Sequence, residues 1–215
     1  MQHIVQDVTK SHRSLSDEAT VDPVAEVSKG ADLTWLLLAG VLVFFMQSGF
    51  ALLESGTVRH KNYQNILLKN CMDACIGGLV WWAWGFGFAF GDVNGGFIGT
   101  KYFFGAGLGE SGNYGNWFFQ FAFACTAATI VSGSLAERVN INCYLLFSFF
   151  MTGFIYPVVV AWTWGGGWLT EMGYSDFAGS GIVHLTGGIS GLAGAIICGK
   201  RIGKFPSAEE QEKLD

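Results

Sequence analysis

Ile182-Val183-His184-Leu185-Thr186-Gly187-Gly188-Ile189-Ser190-Gly191-Leu192-Ala193-Gly194-Ala195-Ile196-Ile197-Cys198-Gly199 is an apolar, glycine-rich run interrupted by one ionisable side chain. Such a run is long enough to cross the hydrocarbon core of a bilayer, which takes roughly 20 residues. An ionisable group at that depth costs about 2.5–3.5 kcal/mol on insertion scales, so His184 marks a candidate functional position. Neutral imidazole donates at one nitrogen and accepts at the other, which suits a small polar solute or a proton in transit. Gly187, Gly191, Ala195 and Gly199 recur every fourth residue, the small-xxx-small pattern that lets helix backbones approach closely in lipid. His184 precedes Gly187 and Gly191 on the same expected face, which directs it into a bundle. The alternative role is packing, with the imidazole hydrogen-bonded to a neighbouring helix.

Composition agrees with a membrane bundle. Hydrophobic residues make up 51% of the 215, charged residues 13%, and glycine numbers 31; mean hydropathy is +0.38. A soluble domain carries far more charge. Five stretches reach spanning length: Leu33–Leu53, Ile66–Phe90, Trp117–Ala136, Cys143–Leu169 and Gly179–Gly199. An odd number of spans puts the two ends on opposite sides. Arg59, His60 and Lys61 follow the first stretch, Arg138 the third, and Lys200, Arg201 and Lys204 the fifth, whereas the loops at Asp92–Asn116 and Thr170–Ser175 hold only Lys101. The positive-inside rule makes the basic loops cytoplasmic and the N-terminus external. Residues 1–31 read as a polar extracellular tail without the apolar core of a cleavable signal. Residues 32–200 read as the membrane domain, and residues 201–215 as the start of a cytoplasmic loop at which the chain breaks off.

Other polar residues carry two readings each. Asp176 stands just before the fifth stretch, where a carboxylate caps free N–H groups at a helix start, or attracts a cation. Trp164 precedes Gly165-Gly166-Gly167 and is either an interfacial belt residue or the wall of a cavity left by the glycines. Phe119 and Phe123 share a helical face as ordinary core aromatics or as lining. Asp73 lies one turn from Lys69, which favours a mutual ion pair, with a proton relay as the alternative. Gln47 and Glu54 share a face of the first stretch and are placed to cross-link helices, while Glu137 and Arg138 close the third stretch. Cys71, Cys75, Cys125, Cys143 and Cys198 fall within or beside apolar stretches and read as packing residues. No nucleophile–base pair, metal cluster, cofactor motif or nucleic-acid footprint is present, so no enzymatic activity is expected.

As a set, Phe50-Ala51-Leu52-Leu53-Glu54-Ser55-Gly56, Leu135-Ala136-Glu137-Arg138, Trp164-Gly165-Gly166-Gly167 and Asp176-Phe177-Ala178-Gly179-Ser180-Gly181-Ile182-Val183-His184 closely resemble the ammonium transporter (Amt/Mep/Rh) family. The resemblance implies an all-α integral membrane protein whose five helices form one half of an eleven-span inverted-repeat fold. It implies a pore role for His184, as the first of two pore histidines, and for Phe123, as the outer of two stacked gating phenylalanines with Phe119 one turn away. Trp164, Phe119, Phe123 and Asp176 become substrate-binding residues. Asp176, Tyr156, Gly187 and Gly191 become structural ones. Ammonium is then recruited at an outer aromatic site and passes as ammonia along the histidines, with or without a separate proton. The partners this admits are ammonium or ammonia, the lipid bilayer of the plasma membrane, like subunits in a homotrimer of the full-length form, and a cytoplasmic regulatory protein; nucleic acid is not among them.

Family members supply the second pore histidine and second gating phenylalanine from a later half. The chain is therefore expected to be a fragment, and the alternatives to a transporter are an ammonium sensor that binds without conducting and a nonfunctional five-span remnant.

Overall fold

The computed structural model describes residues 22–201. Five helices are long and apolar enough to cross a membrane: α1 Pro23–Thr57, α2 His60–Phe90, α3 Tyr114–Leu135, α4 Ile141–Trp162 and α6 Ser180–Cys198. A short α5, Trp168–Glu171, lies between the last two, and no strand occurs among the described residues. The chain divides into two compact units between Leu36 and Leu37; all packing below belongs to the second. Helix α1 starts at Pro23, upstream of the expected Leu33, and Asp22 Oδ1 accepts from the Val24 N–H at 3.0 Å. An aspartate cap followed by proline in the first turn is a strong helix start. The polar stretch from Pro23 to Ala31 is thus helical. Lys204 and the rest of the expected C-terminal loop lie outside the described residues, apart from Arg201.

Helix α3 is the centre of the bundle. Ala122, Ala124, Cys125, Ala127, Ala128 and Ser132 are all buried, and these short side chains let neighbouring helices come close on several sides. Helix α6 uses this most. A Cβ on Gly187 would stand 2.9 Å from Ile130 Cβ, one on Gly191 2.8 Å from Ser134 Oγ, and one on Gly194 2.7 Å from Leu135 Cδ2. The close face therefore runs Gly187, Gly191, Gly194 and leaves the fourfold series, because a helix of 3.6 residues per turn drifts off a strict period of four. Gly199 meets open space and, at φ 71°, closes the helix. Arg138 Nη1 caps that end by donating to the Gly199 carbonyl at 2.8 Å.

Three spans contain a widened π turn: Trp81–Gly85 in α2, Met151–Ile155 in α4 and Ser180–Leu185 in α6. The first two meet where Trp84 Nε1 donates to the Gly153 carbonyl at 2.9 Å and a Cβ on Gly85 would lie 2.9 Å from the Thr152 carbonyl. The third changes the orientation of His184. Its N–H bonds back five residues to the Gly179 carbonyl at 3.0 Å, which turns the side chain away from the face of Gly187 and Gly191. The two glycines are buried, and His184 is exposed on this half. Helix α4 also departs from expectation, ending at Trp162 instead of Leu169. Thr163, at φ −119° and ψ −100°, breaks it, and Gly167 then approaches within 2.8 Å, measured from an added Cβ, of the Trp162 Cα.

Gly187→Leu is expected to lower stability by about 1–3 kcal/mol through overpacking against Ile130, whereas Gly188→Leu, facing open space, leaves it nearly unchanged. Thermal unfolding of both variants in detergent compares them.

Candidate functional site

An aromatic cavity is built from α3 and the loop that follows α4. Phe119 and Phe123 stand one turn apart with rings edge to face, 5.0 Å between centroids at 89°. Phe123 also meets Trp164, centroids 5.7 Å apart at 60°. These three rings, with Phe90, Asn116 and Gln120, wall a cavity of about 610 Å³. Gln120 Oε1 is buried with no hydrogen-bond partner among the described residues. An aromatic wall lined beside its rings by the side-chain amides of Asn116 and Gln120 is suited to a small cation that donates hydrogen bonds.

Asp176 positions this wall without lining it. Its Oδ1 accepts from the N–H groups of Gly179 at 2.8 Å and Ser180 at 3.1 Å, and its Oδ2 from those of Gly181 at 2.8 Å and Ile182 at 2.9 Å. Four backbone donors at the start of α6 are satisfied by one carboxylate. Burial works to raise the carboxyl pKa, but these N–H bonds outweigh it and hold it below the usual range. Trp164 Nε1 in turn donates to the Asp176 carbonyl at 2.7 Å, which fixes the indole plane. Tyr156 is fully buried and packs in the core near Trp81, ring centroids 6.1 Å apart. His184 does not line this aromatic cavity.

At the opposite end of the bundle, Lys69 is paired differently from the expectation. Its ammonium lies 3.4 Å from Glu54 Oε2 of α1 and donates to the Ser132 carbonyl of α3 at 3.0 Å. Asp73 instead accepts from the Tyr144 hydroxyl of α4 at 2.5 Å. A partner on a crossing helix has displaced the neighbour one turn away. Gln47 and Glu54 do cross-link helices, to Thr129 Oγ1 at 2.8 Å and Ser132 Oγ at 2.6 Å.

Residues 34–215 match the family described as the Ammonium Transporter Family. The chain belongs to that family. Ammonium transporter 1 member 3 of Solanum lycopersicum is 48% identical over 200 residues, which cover 88% of this chain and 43% of that protein. Ammonium transporter Amt1 of Haloferax mediterranei is 44% identical over 207 residues, covering 90% of this chain and 40% of its own. Among solved structures, a sensor Amt protein superposes with a TM-score of 0.82 at 38% identity, over 85% of this chain and 47% of that one. Mep2 of Candida albicans superposes at 0.70 with 34% identity, over 82% and 42%. The chain thus spans less than half the length of each of these proteins.

Asn116 and Gln120, which also line the cavity, carry no motif that singles them out in the sequence. Their signal is visible in retrospect as two amides one turn apart, interleaved with Phe119 and Phe123. Glu137, just beyond the end of α3, has partners that residue order does not display. Its side chain, 4% exposed, accepts at Oε1 from the Arg59 N–H at 3.0 Å, Arg59 Nε at 3.1 Å and Asn62 Nδ2 at 2.6 Å. A left-handed backbone at φ 61° turns the carboxylate toward the loop between α1 and α2. Burial alone would raise its pKa, but the Arg59 N–H, the Asn62 amide and the guanidinium prevail and lower it from 4.5 to about 2. Since the folded value lies below the unfolded one, the stabilisation is complete above pH 4.5 and fades as pH falls toward about 2. Glu137→Gln should flatten the stability–pH curve over that interval, as read by unfolding at a series of acid pH values.

Proposed function

We propose that this chain forms the first five-span half of an ammonium-conducting protein of the plasma membrane. The observation that carries this reading is the outer cavity walled by Phe119, Phe123 and Trp164, with Asn116 and Gln120 among its lining residues, in a member of the ammonium transporter family. Ammonium is held over the Trp164 indole by cation–π attraction and gives up its proton before the narrow part of the path. A dry aromatic passage penalises a naked charge heavily, whereas ammonia needs only hydrogen-bond partners. His184 supplies such a partner further in. It sits on the exposed face of α6 with Leu185, Ile189 and Leu192, the face against which the complementary half would close the path. Asp176, Tyr156, Gly187 and Gly191 hold the frame.

In this reading residues 1–31 precede the membrane domain on the outer side, residues 32–200 form the first repeat, and residues 201–215 lead into a cytoplasmic connection. The basic residues Arg59, His60, Lys61 and Arg138 face the cytoplasm. The full-length form is a homotrimer with one path per subunit, open to a cytoplasmic regulatory protein. A second reading, a sensor that binds ammonium without conducting it, is favoured by the likeness to a solved protein named as a sensor Amt protein.

Methylammonium accumulation by cells expressing the full-length protein tests both readings. Conduction predicts that Trp164→Leu raises the half-saturation concentration about two- to thirtyfold, the equivalent of about 0.5–2 kcal/mol of lost cation–π energy. It also predicts that His184→Ala and Phe123→Ala abolish uptake or change its selectivity. Saturable ammonium binding with no uptake in the unmodified protein would overturn conduction in favour of sensing.

A further inference from the structure

Between the first four spans lies a polar cluster that the outer cavity does not use. Glu54, Lys69, Asn70, Asp73, Thr129, Ser132 and Tyr144 are all buried. Glu54 crowds its donors onto one oxygen: Oε2 accepts from Ser132 Oγ at 2.6 Å and Asn70 Nδ2 at 3.3 Å and faces the Lys69 ammonium at 3.4 Å. Asp73 does the same at Oδ2, with the Tyr144 hydroxyl at 2.5 Å. The Thr129 hydroxyl is 3.4 Å from that oxygen, but its single proton has nearer acceptors in Gln47 Oε1 at 2.8 Å and the Cys125 carbonyl at 2.9 Å. The second oxygens, Glu54 Oε1 and Asp73 Oδ1, are buried with no hydrogen-bond partner among the described residues.

The charges in this cluster do not balance. Two carboxyl groups stand against one ammonium, which lies 4.7 Å from the Tyr144 ring centroid between them. The remaining groups around Asp73 are the thiols of Cys75 and Cys125 and the hydroxyl of Ser148, none of them cationic. Arg201 acts on Lys69 through space, but its guanidinium is directed at Glu137, 4.0 Å away, and at the Gly133 carbonyl, 3.3 Å away. An uncompensated charge in an apolar interior is the least favourable arrangement open to such a cluster. A proton on one of the bare carboxyl oxygens removes it. That proton has an entrance, because Lys69 and Tyr144 also line a cavity of about 430 Å³ shared with Arg59, Lys61 and Glu137.

We propose that the buried cluster of Glu54, Lys69, Asp73 and Tyr144 is a proton-holding site, separate from the aromatic path, that takes up one exchangeable proton through the cavity lined by Lys69 and Tyr144. In loading, a hydronium ion in that cavity becomes water as one carboxylate becomes a carboxylic acid; unloading is the reverse, and no other reactant takes part. Tyr144 connects the two, since its hydroxyl bonds Asp73 while its ring borders the cavity.

Infrared difference spectroscopy of the full-length protein in lipid vesicles, exchanged from water to deuterium oxide at pH 7, tests this without reference to transport. The expected result is a carboxylic-acid C=O band, shifted by deuterium, that disappears in either Asp73→Asn or Glu54→Gln and grows in Lys69→Met, where both carboxyl groups must carry protons. Tyr144→Phe should keep the band but slow its deuterium shift several-fold, a change that a purely structural tyrosine would not produce. Absence of the band from the unmodified protein, or its persistence unchanged in both carboxyl variants, would overturn the proposal whether or not ammonium is conducted. A shift of unaltered rate in Tyr144→Phe would overturn the assigned route.

Discussion

The ion pair between Lys69 and Glu54, 3.4 Å apart with side chains 7% and 4% exposed, is the contact on which the end of the bundle away from the aromatic cavity depends. In an apolar interior neither charge is tolerable alone, so removing one partner leaves the other stranded, at a penalty of about 3–5 kcal/mol. The pair therefore does more than attract. It determines which face of α1 and which face of α2 meet, and through the Ser132 carbonyl it includes α3. Tyr144 extends the same logic to α4, because its hydroxyl donates to Asp73 and lies 3.2 Å from the Ala128 carbonyl. Four helices are thus registered against one another by groups that would be unfavourable anywhere else in the bilayer.

The end that carries the aromatic cavity is organised by close approach. Short residues on α3 admit α6 at Gly187, Gly191 and Gly194, and this proximity puts the N-terminal end of α6 where Asp176 can cap it. The capped turn then presents the Asp176 carbonyl to the Trp164 indole, and Trp164 stands against Phe123. A chain of contacts therefore runs from a packing glycine through a cap to the aromatic wall. The cap carboxylate is occupied by four backbone N–H groups, so its influence on a cation in the cavity is indirect, through the position of Trp164.

Much of this could be read from residue order, and the failures have physical causes. The small-residue face of α6 was legible at Gly187 and Gly191, because only close packing explains glycines spaced so regularly within an apolar run. Asp176 was legible as a cap from its place before that run. His184 was misplaced on the face of those glycines because a π turn leaves no mark in hydropathy and widens the helix just where the side chain is oriented. Lys69 was assigned to Asp73 because sequence displays neighbours along a helix and hides those across it. Leu169 was included in the fourth span because glycine is too neutral in hydropathy to announce that Gly165-Gly166-Gly167 ends a helix. Asp22-Pro23 was a start signal lost in the polarity of the residues around it.

The central claim is that an aromatic-walled path passes a nitrogen species able to shed its proton and refuses an alkali cation of similar size. Full-length protein reconstituted in vesicles, given equal inward gradients of ammonium and then of potassium, tests it through the flux of each. The account predicts ammonium-dependent flux with no potassium flux above that of protein-free vesicles. Comparable passage of both ions would contradict it, because a path that carries potassium does not depend on a removable proton.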